Sequence, residues 1–132
     1  MAKILIVDDD YSIRTLYQFV FMEGGHETAL AKDGKDALEK LDTFIPDLML
    51  IDISMPVMDG TEFIKEVKNL SRSRPELATV PFIILTGENF SKMDLNYGFS
   101  KNPLCKAFLP KLTQQTQVRA LAEKTLKEYG KM

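Results

Sequence analysis

Short, continuous apolar runs recur along this chain, and between them lie stretches whose apolar residues fall at helical spacing. The clearest run is Leu48, Met49, Leu50 and Ile51, inside the stretch DLMLIDISMPVMDG from Asp47 to Gly60. A strand with apolar side chains on both faces must be covered on both faces. That is the condition of a parallel sheet flanked by helices. One acid, Asp52, follows the run directly. Open α/β sheets place ligands at the carboxyl ends of their strands, so a carboxylate there is a candidate functional group. An acid after a strand can instead cap the next helix, but Asp59, directly before Gly60, suits that role better.

The remaining segments fit the same alternation. Lys3 to Val7 (KILIV) reads as a buried strand ending in Asp8, Asp9 and Asp10, with Asp10 placed to cap a helix. Ile13, Leu16, Tyr17, Val20 and Phe21 form one face of that helix, which stops near Gly24-Gly25. Thr28 to Ala31 is a weaker second strand. Asp33-Gly34 opens a short helix with Ala37, Leu38 and Leu41 inward, and Pro46 breaks the chain before the third strand, Asp47 to Ile51. The third helix carries Phe63, Ile64, Val67 and Leu70. Ser71 to Thr79 reads as a polar loop, and Phe82 to Leu85 as strand four, ending at Thr86-Gly87.

A short fourth helix is expected next. Ser91 and Asp94 resemble a capping box, Phe90 and Leu95 flank it, and Gly98 ends it. Leu104 to Leu109 is the fifth strand. From Thr113 the chain is helical, with Val118, Leu121, Ala122, Thr125, Leu126 and Tyr129 on one face. Five strands alternating with five helices imply an α/β fold, a doubly wound parallel sheet with helices on both faces. All 132 residues are used in one domain, so no attached output domain is expected.

Composition excludes several classes. The formal net charge of -2 gives no electrostatic footprint for nucleic acid or an anionic membrane. No apolar run approaches the roughly 20 residues that span a bilayer. The amino terminus enters a strand directly, so no signal peptide is expected. Cys105 is the single cysteine, which fits a reduced cytoplasmic setting and reads as a small buried apolar residue. His26, between the first helix and second strand, reads as a surface residue.

The chemistry gathers at the strand ends. In strand order 2-1-3-4-5, strands one and three are neighbours about 4.8 Å apart, so Asp8 and Asp9 face Asp52. Three carboxylates that close repel one another and raise one another's pKa values. A hard divalent cation of the Mg²⁺ type relieves this, since it favours a few carboxylates, retained waters and an oxyanion partner. Thr86 offers a hydroxyl beside Asp52, Gly87 leaves room, and Lys111 adds a fixed cation. Together they suit a phosphoryl group carried on a carboxylate.

These residues lie in LIVDDD (Leu5 to Asp10), DLMLIDISMPVMDG and PFIILTG (Pro81 to Gly87), and over essentially its whole length the chain resembles a receiver domain of two-component response regulators, similar to the stand-alone chemotaxis type. The resemblance implies a flavodoxin-like (βα)5 fold in three layers. It makes Asp52 the phosphoacceptor, Asp9 a direct Mg²⁺ ligand, Asp8 a ligand through water, and the Ser54 backbone carbonyl a further ligand. Thr86 matches the switch hydroxyl, Phe108 the switch aromatic and Lys111 the family's lysine. It implies phosphorylation by a sensor histidine kinase or a histidine phosphotransfer protein, with output by binding an unidentified downstream protein. The only catalysis implied is of the chain's own aspartyl phosphorylation and dephosphorylation. The signalling face would comprise the fourth helix, the fifth strand and the last helix, with Lys92, Leu95, Lys106 and Phe108 as its candidate residues.

Two features depart from that pattern. Leu112 follows Lys111 where the family has a proline joined by a cis bond, and a cis bond to a non-proline costs about 2.5–4 kcal/mol. Either that strain is kept, or the bond is trans and Lys111 is presented differently; Lys106 is the fallback lysine. The segment Glu88 to Cys105 also lacks the usual Gly-Ala before strand five. The competing reading is a pseudo-receiver that binds protein without phosphorylation. An aspartyl phosphatase is disfavoured because Ser54 stands where such enzymes place their general acid. A flavodoxin-like nucleotide binder is disfavoured because no glycine-rich loop follows strand one.

Overall fold

Along each central strand, successive side chains enter opposite cores. Leu5, Val7, Met49, Ile51, Phe82 and Ile84 face one layer of helices. Ile4, Ile6, Leu48, Leu50, Ile83 and Leu85 face the other. This two-sided burial, expected from the unbroken apolar runs, sets the architecture of the computed structural model, which describes residues 1–87 and 101–132.

The described elements are β1 (Lys3–Val7), α1 (Tyr11–Glu23), β2 (Glu27–Ala31), α2 (Gly34–Lys40), β3 (Leu48–Ile51), α3 (Gly60–Leu70), a 3-10 turn (Pro75–Leu77), β4 (Phe82–Thr86), β5 (Cys105–Pro110) and α4 (Gln115–Glu128). The five strands are all parallel, in the order β2-β1-β3-β4-β5. Ala37, Phe63 and Val67 of α2 and α3 pack on one face. Tyr17, Phe21, Val118, Ala122 and Leu126 of α1 and α4 pack on the other. The three layers and the strand order are those expected. The fourth helix expected between β4 and β5 lies outside the described residues.

Register decides what meets at the carboxyl edge. Val7 pairs with Ile51, so Asp8 and Asp52 leave the sheet side by side. Ile51 pairs with Ile84, so β4 runs two residues further and brings Thr86 beyond them. Thr86 pairs with Pro110, so Lys111 follows at the same edge.

Acids cap the helices that leave this edge. The Asp10 carboxylate accepts from the N–H groups of Ser12 and Ile13. That of Asp33 accepts from Asp36. Asp59 and Glu62 form a complete capping box at α3.

Three expectations change. His26 is buried, 4% exposed. Its Nδ1 accepts from the Ala2 N–H at 3.2 Å and its Nε2 meets Glu123 Oε2 at 2.8 Å. Glu123 of α4 and the Phe21 ring of α1 lie against it, which its neighbours in sequence do not reveal. The polar stretch from Ser71 to Thr79 contains the 3-10 turn, whose Leu77 is buried in the α2/α3 core. Cys105 opens β5 half-buried rather than buried. Among the described residues no helix is long and apolar enough to cross a membrane.

Candidate functional site

Asp8, Asp9 and Asp52 meet at the carboxyl edge, each offering an oxygen within 4.8 Å of the others. Asp8 and Asp52 are each only 3% exposed, whereas Asp9 is exposed. Lys111 Nζ lies 3.2 Å from both carboxylate oxygens of Asp8 and 3.2 Å from Asp52 Oδ2. Backbone groups fix the two buried acids. The Asp10 N–H donates to Asp8 Oδ1 at 2.9 Å, and the Ser54 N–H reaches Asp52 Oδ1 at 3.4 Å. The Asp52 N–H in turn donates to Val7 O at 2.8 Å, tying the acid to β1.

Burial dominates the electrostatics. It pushes the Asp8 carboxyl up to about 6; the Asp52 charge adds to the rise, and the Asp10 N–H and Lys111 oppose it. Burial also raises Asp52, against Lys111 and the Ser54 N–H, with Asp9 adding to the rise. Mutual repulsion, the cause expected from sequence, is therefore secondary to desolvation. For Lys111, burial works against the charged form, and the charges and hydrogen bonds of Asp8 and Asp52 more than reverse it, leaving its pKa raised.

This donor set fits a hard divalent cation. It is all oxygen, it converges, and among the described residues the Lys111 ammonium pairs with two of the three acids, Asp8 and Asp52. Asp8, Asp9 and Asp52 are the side chains that could hold Mg²⁺. Ser54 follows Asp52 in the loop, exposed, so its backbone borders the same acids.

Thr86 is fully buried at the end of β4. By strand alternation it shares the sheet face of Phe82 and Ile84, the face against which half-buried Phe108 packs. Among the described residues a Cβ at Gly87 would meet only Lys111 Cδ, at 3.8 Å, so there is space beside the lysine. Gly60 has none: a Cβ there would lie 2.5 Å from Asp52 O, so the start of α3 can close on the acid only as glycine.

Every peptide bond among the described residues is trans, Lys111-Leu112 included. Lys111 nonetheless reaches both acids, and Leu112 points out, 95% exposed. The fallback lysine, Lys106, is not at the acids: it is exposed, with Nζ 5.1 Å over the Tyr129 ring. Lys92 and Leu95 lie outside the described residues. One participant had no signal in the sequence. Arg14 donates to Asp8 O at 2.7 Å, clasping the backbone of the acid pair from α1.

Comparison with known proteins gives a consistent picture. The chain is 38% identical over 93 residues to the alkaline phosphatase synthesis transcriptional regulatory protein PhoP of Bacillus subtilis, a match covering 69% of this chain and 36% of that protein. It is 47% identical over 66 residues to sporulation initiation phosphotransferase F of the same species, covering 50% of this chain and 53% of the relative. The match thus spans about a third of the first relative and about half of the second. Its fold matches the chemotaxis response regulator CheY4 of Vibrio cholerae with a TM-score of 0.75 and 30% identity, over 97% of this chain and 98% of that one. The family model for the response regulator receiver domain matches residues 4–122, the span holding all three acids, Thr86 and Lys111. With its five parallel strands in CheY-like order, this chain belongs to the receiver domain family of two-component response regulators.

Proposed function

We propose that the chain is a phosphorylation switch in which Asp52 accepts a phosphoryl group from a sensor histidine kinase or a histidine phosphotransfer protein, and that the result is read out by protein binding. One observation carries this reading: three carboxylates converge at a parallel-sheet edge, and the two buried ones are bridged by the Lys111 ammonium. An oxygen of Asp52 attacks the phosphorus of a phosphohistidine. The P–N bond breaks, its electron pair leaves with the imidazole, and an acyl phosphate forms. Bound Mg²⁺ supplies charge neutralisation for the phosphoryl oxygens. Asp8, Asp9 and Asp52 would hold it, with the Ser54 carbonyl as a further donor. Lys111, already at Asp52 Oδ2, keeps a cation beside the bond that forms.

Thr86 then binds the new oxyanion through its hydroxyl, and Phe108, on the same face, repacks. Phe108 has no hydroxyl, so the switch works by packing, as a shift between two populations. Catalysis is confined to the chain's own phosphorylation and dephosphorylation, and the setting is cytoplasmic. The alternative of a phosphorylation-independent binding module drew on Leu112 and on the segment before strand five; residues 88–100 of that segment lie outside the described residues, and Lys111 stands at the acids despite Leu112.

The test is incubation with acetyl phosphate, or beryllofluoride, and Mg²⁺. Wild type should gain one phosphoryl group by mass and Asp52→Asn none. Identical behaviour of the two proteins would sink the proposal.

A further inference from the structure

The connection from β3 to α3 is fastened at two points. At its root the Gly60 N–H donates to Ile53 O at 2.9 Å. At its far corner the Gly34 N–H, from the first residue of α2, donates to Met58 O at 2.9 Å. Between them the Met58 N–H closes back on Pro56 O at 2.8 Å, around Val57 with φ of 69°. A three-residue turn with positive φ is the rare, strained form of the γ-turn, and a β-branched residue at its centre adds to the strain. Such a conformation persists only where its surroundings hold it.

Gly34 is what holds it. A Cβ on residue 34 would lie 2.7 Å from Met58 Cγ, 2.8 Å from Met58 O and 3.0 Å from Met58 Cβ. The obstacle includes backbone, so it cannot swing aside. The Asp33 carboxylate is occupied by its own helix through Asp36, which leaves the Gly34 N–H for the loop. The other limb of the same loop delivers the Ser54 N–H to Asp52 Oδ1.

We propose that Gly34 is a positioning residue for the Asp52 site: by pinning Met58 O without a side chain, it holds the strained turn at Val57 and so keeps the Ser54 backbone beside Asp52. The inference rests on the function proposed above only in its consequence for Mg²⁺, since the clamp itself is made by the chain's own backbone.

The experiment compares wild type, Gly34→Ala and Lys35→Gly. Lys35 is an exposed neighbour on α2, so its replacement weakens the helix without touching the loop. In metal-free protein, Gly34→Ala should speed amide exchange at Ser54 and Met58 about tenfold or more. It should weaken Mg²⁺ binding, measured by titration with the metal alone, about tenfold or more. Lys35→Gly should do neither. Unchanged exchange, faster exchange with unchanged Mg²⁺ affinity, or equal effects in both variants overturns the proposal. If Gly34→Ala does not fold, the wild-type Gly34 amide decides: protection matching that of Met58 supports the clamp, and exchange at the rate of an open amide overturns it. Should wild type bind no Mg²⁺, the phosphorylation reading fails, while the exchange comparison still decides the clamp.

Discussion

Asp8 sits where function and stability oppose each other. Its pKa in the fold is about 6, above the roughly 3.9 of an unfolded aspartate. Below about pH 4 both states hold the proton. As pH rises from there, the unfolded chain releases its proton first, so folding loses roughly 2–3 kcal/mol by the time the folded pKa is passed. Chemical denaturation should therefore show stability falling between about pH 4 and pH 6. Asp8→Asn should remove most of that slope and be more stable than wild type at pH 7, whereas Mg²⁺, which the proposed function puts on the ionised acids, should stabilise wild type above pH 6. A wild-type profile rising through this window would contradict the account. Lys111 is the charged counterweight beside the Asp10 N–H, so Lys111→Met should move the Asp8 midpoint above about 6 in a carboxyl NMR titration; an unmoved midpoint would deny the pairing. The sequence revealed these residues because an acid directly after an apolar run has few structural uses. It did not reveal that burial outweighs repulsion, which depends on how far α1 and the β3–α3 loop close over the acids. Arg14 was invisible for the same reason: its target is a backbone carbonyl, which leaves no trace in residue type.

At the scale of elements, local chemistry was legible and distant packing was not. Asp10, Asp33 and Asp59 cap the helices at which they stand, because an Asp before a helical pattern finds the free first-turn N–H groups without help from the rest of the fold. Asp59→Ala tests the strongest of these, since it removes the carboxylate that accepts from the Glu62 N–H and leaves only the bond from the residue 59 N–H to Glu62. It should cost about 1 kcal/mol of global stability with an unchanged denaturant slope. No loss in midpoint would mean that Gly60 and the root contact at Ile53 O already define the start of α3. The stretch from Ser71 to Thr79 was misjudged because it holds one large apolar residue, Leu77, and a single residue has no period. Pro75 was the available signal, as proline favours the first position of a helical turn. Strand five, Cys105–Pro110, lies one residue beyond the apolar run from Leu104 to Leu109 at each end. Its half-buried character belongs to an edge strand, which a run of apolar letters does not distinguish from a central one.

Across the whole molecule the two edges of the sheet carry opposite burdens. The carboxyl edge gathers acids whose charge the fold leaves short of compensation, and this lowers stability where the proposed chemistry calls for a cation. The amino edge carries the reverse, a buried polar group with its partners in place. The Ala2 N–H donates to His26 Nδ1, so Nε2 carries the proton that meets Glu123, 97 residues away. Arg119 joins Glu123 at 3.6 Å and Glu23 at 3.6 Å, linking the end of α1 to α4. The hydrogen bond from His26, aided by Arg119, holds the Glu123 carboxyl below its ordinary value. A depressed carboxylate contributes stability above its unfolded pKa and loses it as pH falls through the folded value. A double-mutant cycle of His26→Ala and Glu123→Ala should thus give a coupling of about 1–2 kcal/mol at pH 7. That coupling should shrink only as pH falls below the ordinary carboxylate range and Glu123 is protonated, whereas the burden at Asp8 is lifted earlier in the fall, between about pH 6 and pH 4. A coupling near zero at pH 7 would mean that α4 is held to the sheet by Val118, Ala122 and Leu126 alone, with His26 merely filling space.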